Sequence, residues 1–296
     1  MPYTSIQKNA CTPAGEVAQT GTHRRFEIAE IVANEHTGEG VYRLTLKVPH
    51  IASGCVLPSA GQFYMISLNA GEHILPRPLS VHAFDEVSGT LSFLYKTAGK
   101  GTRLLSRCKA AESVQLHGPL GRGFDIPESS GVHVLIGGGI GLAPLGLLAK
   151  HILASCSGAS VVFIAGGRDR GIRNVIERLA LDSSVRLLVC TDDGSEGMRG
   201  NAADMLASYL NERKIQSADS PVAMLYACGP NILLSKINAL AAAHDIPCQV
   251  SLEHRMACGV KACMGCSVQT LSGIKKVCAD GPVFDAYLLR TGEKSL

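Results

Sequence analysis

The C-terminal part of the sequence contains four cysteines whose spacing strongly limits what this region can form. Three of them follow the pattern C-x4-C-x2-C and the fourth comes after eleven further residues; they are Cys258, Cys263, Cys266 and Cys278. This is the ligand pattern of a plant-type [2Fe–2S] cluster, in which four thiolates hold two irons. One tight loop has to turn three sulfur atoms inward, and Gly259 and Gly265 permit the backbone torsions that such a loop needs. The sequence therefore predicts an iron–sulfur site with these four cysteines as metal ligands.

Two other interpretations of the four cysteines remain open. Four cysteines can hold zinc in a non-enzymatic interaction protein, although zinc ribbons favour two CxxC-like pairs over three clustered cysteines and a distant one. Cysteines can also be ordinary buried apolar residues, but chance would rarely produce this spacing.

Composition and charge indicate a globular chain of two or three domains. The 296 residues are 46% hydrophobic and 18% charged, and the net charge of +3 comes without a basic run, so neither nucleic acid nor a membrane surface is an expected partner. The other seven cysteines are scattered rather than arranged as a disulfide framework, which favours a reducing compartment, the cytoplasm. Residues 1–22 lack the apolar core of a signal peptide, and we expect a loosely held N-terminal extension.

The region from residue 23 to residue 125 has the pattern of a small antiparallel β-barrel. Short alternating runs are separated by Gly, Pro and Asn, without a strong helical period. The predicted strands are Phe26–Ala33, Val41–Val48, Gln62–Leu68, Leu79–Phe84, Leu91–Tyr95 and Ser113–His117.

Two short motifs within this region are suited to a flavin dinucleotide. In Arg77-Pro-Leu-Ser80, arginine offers a fork of donors for a diphosphate and serine can donate to a flavin oxygen. Further on, Lys96 supplies a positive charge, and Gly101 and Thr102 allow close approach and a further donor. Taken alone, the first motif is a weak signal for a flavin and favours an edge strand opened by proline.

Residues 130–250 alternate between strand and helix patterns, which predicts a Rossmann-like parallel sheet covered on both faces. After the apolar run Val132–Ile136, the predicted strands are Ser160–Ala165, Val185–Cys190, Val222–Ala227 and Gln249–Leu252. The predicted helices are Leu145–Ser155, Ile172–Leu181, Ala202–Glu212 and Ile232–His244. The uncharged stretch 129–149 is long enough to raise the question of a membrane span, but its six glycines and Pro144 favour a buried strand, a glycine turn and a helix start.

The loops at the carboxyl ends of these strands predict a dinucleotide site, because ligands bind there in such sheets. The candidate residues are Gly137, Gly138, Gly139, Gly141, Pro144, Cys228, Gly229 and Pro230. Free N–H groups at a helix start suit phosphate, and a small residue at position 228 would let a nicotinamide ring reach a flavin. Cys228 can equally be an ordinary buried cysteine. Arg168 leaves NAD and NADP both open, since it is either a 2′-phosphate ligand or a surface residue.

The motifs RPLS, GGGIGLAP and CGP, in this order over about residues 23–250, resemble the ferredoxin–NADP reductase superfamily. With the cysteine segment 251–296 added, the whole chain resembles the family of electron-transfer subunits of NAD-dependent, type-B dihydroorotate dehydrogenases. The resemblance implies a multidomain β plus α/β protein: a flavin-binding barrel, an NAD-binding α/β domain and a small [2Fe–2S] module. It also implies which residues hold FAD, namely Arg77, Pro78, Leu79, Ser80, Leu94, Tyr95, Lys96, Gly101 and Thr102.

In that family electrons pass from the FMN of a catalytic subunit through [2Fe–2S] and FAD to NAD⁺ during pyrimidine biosynthesis. The resemblance therefore implies an oxidoreductase without a catalytic side chain, assembled with an FMN-containing partner, two copies of each chain. It leads us to expect an interface around Met256–Lys261 and Val277–Phe284. The alternative is a related FAD/[2Fe–2S] subunit of a ferredoxin-dependent transhydrogenase or a hydrogenase-type complex.

Overall fold

A computed structural model describes residues 25–54, 56–68, 75–128, 130–215 and 220–289. The predicted N-terminal extension, residues 1–22, lies outside these ranges. No helix in the ranges is long and apolar enough to cross a membrane.

The first part of the chain forms seven strands and two short helices. In chain order they are β1 (Arg25–Gly38), β2 (Val41–Lys47), α1 (Pro49–Ala52), β3 (Phe63–Leu68), β4 (Arg77–Ser80), β5 (Ala83–Asp85), β6 (Thr90–Lys96), α2 (Lys100–Leu105) and β7 (Ser113–Leu120). The strands make one curled antiparallel sheet in the order β4-β3-β7-β1-β2-β6-β5.

The predicted strand Leu79–Phe84 is in fact two strands, because this segment crosses between the two edges of the curled sheet. β4 pairs with β3 and β5 pairs with β6. Between them, the N–H of Val81 donates to Gln62 O on the β3 side, and the N–H of His82 donates to Ser92 O on the β6 side. The crossing brings the Arg77–Ser80 motif next to β6, which carries the second flavin motif.

The second part of the chain forms the parallel α/β layer. Its elements are β8 (Gly131–Gly138), α3 (Ala143–Ser155), β9 (Ala159–Gly167), α4 (Ile172–Ile176), β10 (Arg186–Thr191), β11 (Met198–Arg199), α5 (Ala202–Ile215), β12 (Val222–Cys228), α6 (Asn231–Ala243) and β13 (Cys248–Ser251). Residues 139–142 form a single 3₁₀ turn between β8 and α3. Helix α4 is shorter than predicted, because the chain turns after it and Ala180 adopts a φ of +48°.

The C-terminal part adds β14 (Ser267–Thr270), β15 (Gly273–Lys276), α7 (Val277–Asp280) and β16 (Val283–Asp285). β14 and β15 form a hairpin, whereas β16 joins the edge of the large sheet antiparallel to β13. The order of that sheet is β11-β10-β9-β8-β12-β13-β16. The iron–sulfur segment is thus attached to the α/β sheet by its own last strand.

The register of the parallel strands brings the predicted nucleotide loops to one edge. Gly137 lies opposite Cys228, and Gly138 lies opposite Gly166. Gly167 in turn lies opposite Thr191 at the end of β10. β8 is buried along nearly its whole length, as expected for a strand covered by helices on both faces. The predicted fold class is confirmed.

Candidate cofactor sites

A cavity of about 460 Å³ lies between the curled sheet and the α/β layer. It is within the size range of cofactor sites. The predicted flavin residues along its wall are Pro78, Leu79, Ser80, Leu94, Tyr95, Lys96 and Thr102. From the other layer, Gly141, Pro144 and Cys228 reach the same cavity. The two flavin motifs, which are separate in sequence, therefore share one wall.

Arg77 and Gly101 lie at the side of this cavity and pack against each other. A β-carbon placed on Gly101 would overlap the guanidinium group of Arg77, so any larger residue there would displace the end of the arginine side chain. Nη1 of Arg77 donates to the backbone carbonyls of Leu75 and Pro76, and partial burial lowers the pKa of the guanidinium. A partly desolvated cation on a glycine at the start of a helix fits a diphosphate.

Two predicted flavin residues use their hydroxyl groups within the protein. Thr102 Oγ1 accepts from the N–H groups of Ala98 and Gly99 at 2.9 and 3.2 Å and donates to Gly99 O at 3.2 Å. The hydroxyl of Tyr95 donates to Oδ1 of Asn34 at 3.0 Å. These residues shape the cavity, while their hydroxyl groups are already bonded.

Asn34 is a residue that the sequence analysis missed. Its Nδ2 donates to Leu105 O at 2.8 Å and to Cys108 O at 3.0 Å, at the C-terminal end of α2. Asn34 thereby connects β1 with Tyr95 of β6 and with α2, the helix that contains Gly101 and Thr102. No short-range signal marked it, because its partners lie more than sixty residues away.

A second cavity, of about 530 Å³, opens at the carboxyl ends of β8 and β9. The predicted residues Gly138, Gly139 and Pro230 line it, together with Arg168, Asp169, Asp192 and Lys236. Gly139 has a φ of +58°, and a β-carbon there would meet no atom within 4 Å. The glycine turn therefore leaves its backbone open to a ligand, as a phosphate site requires.

Not every predicted nucleotide residue lines one of these two cavities. Gly137 and Gly229 line neither of the two, and both allow close packing. A β-carbon on Gly137 would lie 2.5 Å from Leu142 Cδ2, and one on Gly229 would lie 3.2 Å from Gly138 N. Gly141 approaches the backbone of Cys228, where a β-carbon would lie 2.6 Å from the carbonyl oxygen.

Glu253, Lys96 and Ile140 line both cavities and mark the place where they meet. Glu253 was not predicted, although it follows β13 at the edge of the sheet where ligands bind. Its side chain is open to solvent inside the concave site, yet desolvation by the surrounding protein raises its pKa. Desolvation and the charge of Glu253 also raise the pKa of Cys228 to about 12, so Cys228 remains a neutral thiol.

Hydrogen bonds from backbone N–H groups to sulfur atoms link the four predicted metal ligands to one another. The N–H of Cys263 donates to Sγ of Cys258 at 3.4 Å, and the N–H of Cys278 donates to Sγ of Cys266 at 3.5 Å. Among the described residues, no three His, Cys, Asp or Glu side chains are placed to hold a single ion. Cys278 lies close to Cys258 as well as to Cys266. The four cysteines are therefore neighbours, as a [2Fe–2S] cluster held by four thiolates requires.

The sulfur atoms of two ligands show opposite tendencies to ionise. Desolvation opposes ionisation of Cys258, but backbone N–H donors of Val260, Cys263 and Ala262 outweigh it and lower the pKa to about 7. Burial and the neighbouring Cys266 thiol raise the pKa of Cys278 to about 11. A cationic metal centre would stabilise the thiolate form of Cys278 despite its burial and its thiol neighbour. This again fits a metal cluster.

The cysteine loop packs directly on the curled sheet. Gly259 has a φ of +66°, and a β-carbon there would lie 2.8 Å from Met65 Cγ and 3.0 Å from Leu120 Cδ1. Met256, at the start of the loop, lines the first cavity, along which the predicted flavin residues lie. Cys263 is exposed, while Cys266 and Cys278 are buried. The cysteines therefore lie between this cavity and the protein surface.

Comparison with protein families supports the assignment of an iron–sulfur domain and of an FAD-binding domain. Residues 253–290 match the iron–sulfur cluster binding domain of dihydroorotate dehydrogenase B. Residues 29–124 match the oxidoreductase FAD-binding domain. A solved structure of an NADH-dependent reduced ferredoxin–NADP oxidoreductase, studied for flavin-based electron bifurcation, shares 26% identity with a TM-score of 0.74, covering 90% of this chain and 91% of that chain.

Two relatives match over nearly their full length, and both are electron-transfer subunits of dihydroorotate dehydrogenase B (NAD⁺). The protein from Desulforamulus reducens is 33% identical over 265 residues, which cover 88% of this chain and 96% of that protein. The protein from Geobacillus thermodenitrificans is 35% identical over 262 residues, covering 86% and 95% respectively. The chain therefore belongs to the family of dihydroorotate dehydrogenase B electron-transfer subunits.

Proposed function

We propose that this chain is the electron-transfer subunit of an NAD-dependent dihydroorotate dehydrogenase, where [2Fe–2S] and FAD connect the FMN of a catalytic subunit to NAD⁺ in pyrimidine biosynthesis. The observation that carries the proposal is the position of the cysteine loop. It packs on Met65 and Leu120 of the flavin-binding sheet and contributes Met256 to the flavin cavity, while Cys263 faces the surface. An electron can thus enter from outside and reach the flavin within one protein.

The residues have separate tasks in this proposal. Arg77 and Gly101 would hold the FAD diphosphate, and Ser80 would contact the flavin. The four cysteines would hold the cluster, and the open turn at Gly139 would receive the phosphates of NAD⁺. When bound, FAD exchanges hydride with NAD⁺ and the cluster carries single electrons.

The side chains where the two cavities meet would control how closely the nicotinamide and flavin rings approach and how the nicotinamide is oriented. Cys228 is small, neutral and buried, so it would let the two rings approach without adding charge. Glu253 and Lys96 place opposite charges at the same junction. We assign them to the orientation of the nicotinamide, because a misplaced ring slows transfer strongly.

The catalytic subunit would dock on the apolar surface around the cysteine loop. Most of Val277–Phe284, expected from sequence to contact the partner, is buried in this chain and is not available for docking. The exposed apolar side chains that we assign to this surface are Val260 and Met264 of the loop and Phe26 of β1, with Met264 58% and Phe26 79% exposed. Phe26 is connected to the loop through two neighbouring residues. It stacks on His117 of β7, and His117 pairs with Met65 of β3, the residue that lies under Gly259.

We further propose that the partner carries FMN, that the assembly contains two copies of each chain, and that it works in the cytoplasm. The scattered cysteines support the last point. The five cysteines outside the cluster motif that the structure describes, Cys108, Cys156, Cys190, Cys228 and Cys248, are all free thiols, as a reducing compartment favours.

The isolated chain provides the test. Purified without oxygen, it should contain about two irons and two labile sulfides and release FAD. NADH should bleach its flavin, whereas dihydroorotate should not. Stoichiometric zinc, FMN in place of FAD, or oxidation of dihydroorotate by this chain alone would each contradict the proposal.

A second function is favoured by the solved structure with a TM-score of 0.74, an NADH-dependent reduced ferredoxin–NADP oxidoreductase. In that case the donor to the cysteine loop would be reduced ferredoxin. Rapid reduction of NAD⁺ by reduced ferredoxin, together with no coupling to a dihydroorotate-oxidising subunit, would favour this function.

A further inference from the structure

The carboxylate of Asp280 joins the two chain segments that carry the four cysteines. Its Oδ1 accepts from Nζ of Lys261 at 3.0 Å, and Lys261 lies in the loop of the first three cysteines. Its Oδ2 accepts from the backbone N–H of Lys276 at 2.7 Å, just before α7, the helix that carries Cys278. Asp280 is the last residue of α7, so its bond to Lys261 connects the cysteine loop to this helix, while its bond to Lys276 lies at the start of the same helix.

Lys261 also contacts a ligand sulfur through its backbone. Its N–H donates to Sγ of Cys278, with an N–S distance of 3.3 Å. Its φ of +69° lies in the left-handed region, which residues other than glycine rarely adopt. Such a conformation persists only where the surroundings hold it. The bond from its side chain to Asp280 is a contact that can hold it.

We propose that Lys261 and Asp280 are positioning residues that keep the Lys261 N–H on the Cys278 sulfur and thereby raise the reduction potential of the cluster. Hydrogen bonds to ligand sulfurs stabilise the more negative, reduced form of a cluster, and they are among the main determinants of its potential. This inference rests on the [2Fe–2S] assignment of the proposed function.

The direction in which Asp280→Ala shifts the reduction potential separates this positioning role from a simple effect of charge. Asp280→Ala removes a negative charge, which by itself would raise the potential. The same substitution releases the Lys261 backbone, which lowers the potential if the positioning role is correct. Lys261→Met is expected to lower the potential as well. We expect Asp280→Ala and Lys261→Met each to disfavour reduction of the cluster at least tenfold. For a one-electron step this lowers the reduction potential by about 59 mV.

The measurement is a redox titration of the purified full-length chain, followed by the EPR signal of the reduced cluster. Lys275→Met is the matched control, because Lys275 acts on Asp280 through its charge and not through a hydrogen bond. Lys261→Arg keeps both the charge and the reach and is expected to retain the parental potential and EPR line shape.

Each outcome decides the matter. A potential that rises or stays unchanged in Asp280→Ala overturns the proposal, as does an equal shift in Lys275→Met and Lys261→Met. Loss of iron from Lys261→Met and Asp280→Ala also overturns it, because the two residues would then be needed to hold the cluster and not to set its potential. Absence of iron and labile sulfide from the parent chain instead refutes the proposed function.

Discussion

The guanidinium group of Arg77 lies directly over the α-carbon of Gly101, although the two residues belong to separate motifs. The contact arises because the segment after β4 crosses to β6, whose chain continues into α2. In the proposed function, the arginine at the side of the cavity and the glycine beneath it would act as one anion-binding element.

This contact predicts that Gly101→Ala weakens FAD binding by displacing the arginine. Loss of a charge-assisted hydrogen bond costs about 2 kcal/mol, which is roughly thirtyfold in the dissociation constant of FAD. Gly99→Ala is the matched control, because a β-carbon on Gly99 would meet no atom within 4 Å. The released flavin is quantified after dialysis. Equal FAD retention by the two variants would disprove the role of the contact.

A bulky side chain at Gly139 should block the nucleotide. In Gly139→Leu the side chain would project into the second cavity, and we expect NADH to bleach the flavin at least tenfold more slowly at a fixed concentration. Gly273→Leu tests for strain alone, since Gly273 also has a positive φ and no atom near a β-carbon. The rate of flavin reduction by NADH, measured by stopped flow, distinguishes Gly139→Leu from Gly273→Leu. Parental rates in Gly139→Leu would mean that the phosphates bind elsewhere.

Glu253→Gln should slow hydride transfer without loss of FAD. Glu253 lies where the cavities meet, and loss of its charge should misorient the nicotinamide, costing roughly tenfold or more. Glu39→Gln is the control, because Glu39 lines only the second cavity. The rate of flavin reduction at saturating NADH is the readout. An unchanged saturating rate would remove Glu253 from the transfer site.

Charge on the apolar surface near the cysteine loop should prevent docking of the catalytic subunit. We expect Met264→Glu to weaken the complex by at least tenfold, because an exposed methionine at an interface would become a buried carboxylate. Val87→Glu places the same charge on a side chain that is 98% exposed in the β5–β6 turn. Analytical ultracentrifugation of the mixed subunits compares them. Equal weakening by both would place the interface elsewhere.

The features predicted from sequence depend on short stretches of chain. The spacing of Cys258 to Cys278 and the run Gly137–Gly141 impose local backbone requirements that can be read without a tertiary structure. The alternation of strands and helices between residues 130 and 250 is similarly local. These features carried the prediction of the fold class and of the iron–sulfur and nucleotide sites.

The features that were missed depend on contacts between distant residues. Glu253 becomes a site residue only because the chain after β13 returns to the junction of the two cavities. Asn34 matters only through bonds to Tyr95 and to the end of α2. The division of Leu79–Phe84 into β4 and β5 follows from the curling of the sheet. No periodicity within the segments themselves contains this information.

The most direct test of the account is to measure reduction of NAD⁺ by dihydroorotate with this chain and the FMN-containing catalytic subunit, each alone and mixed. The account predicts NADH formation only in the mixture, and no coupling when this chain carries Cys263→Ser, which removes an exposed cluster ligand. Cys108→Ser, outside the cluster motif, should couple like the parent. Coupling that survives Cys263→Ser, or a parental mixture that never reduces NAD⁺, would contradict the central claim.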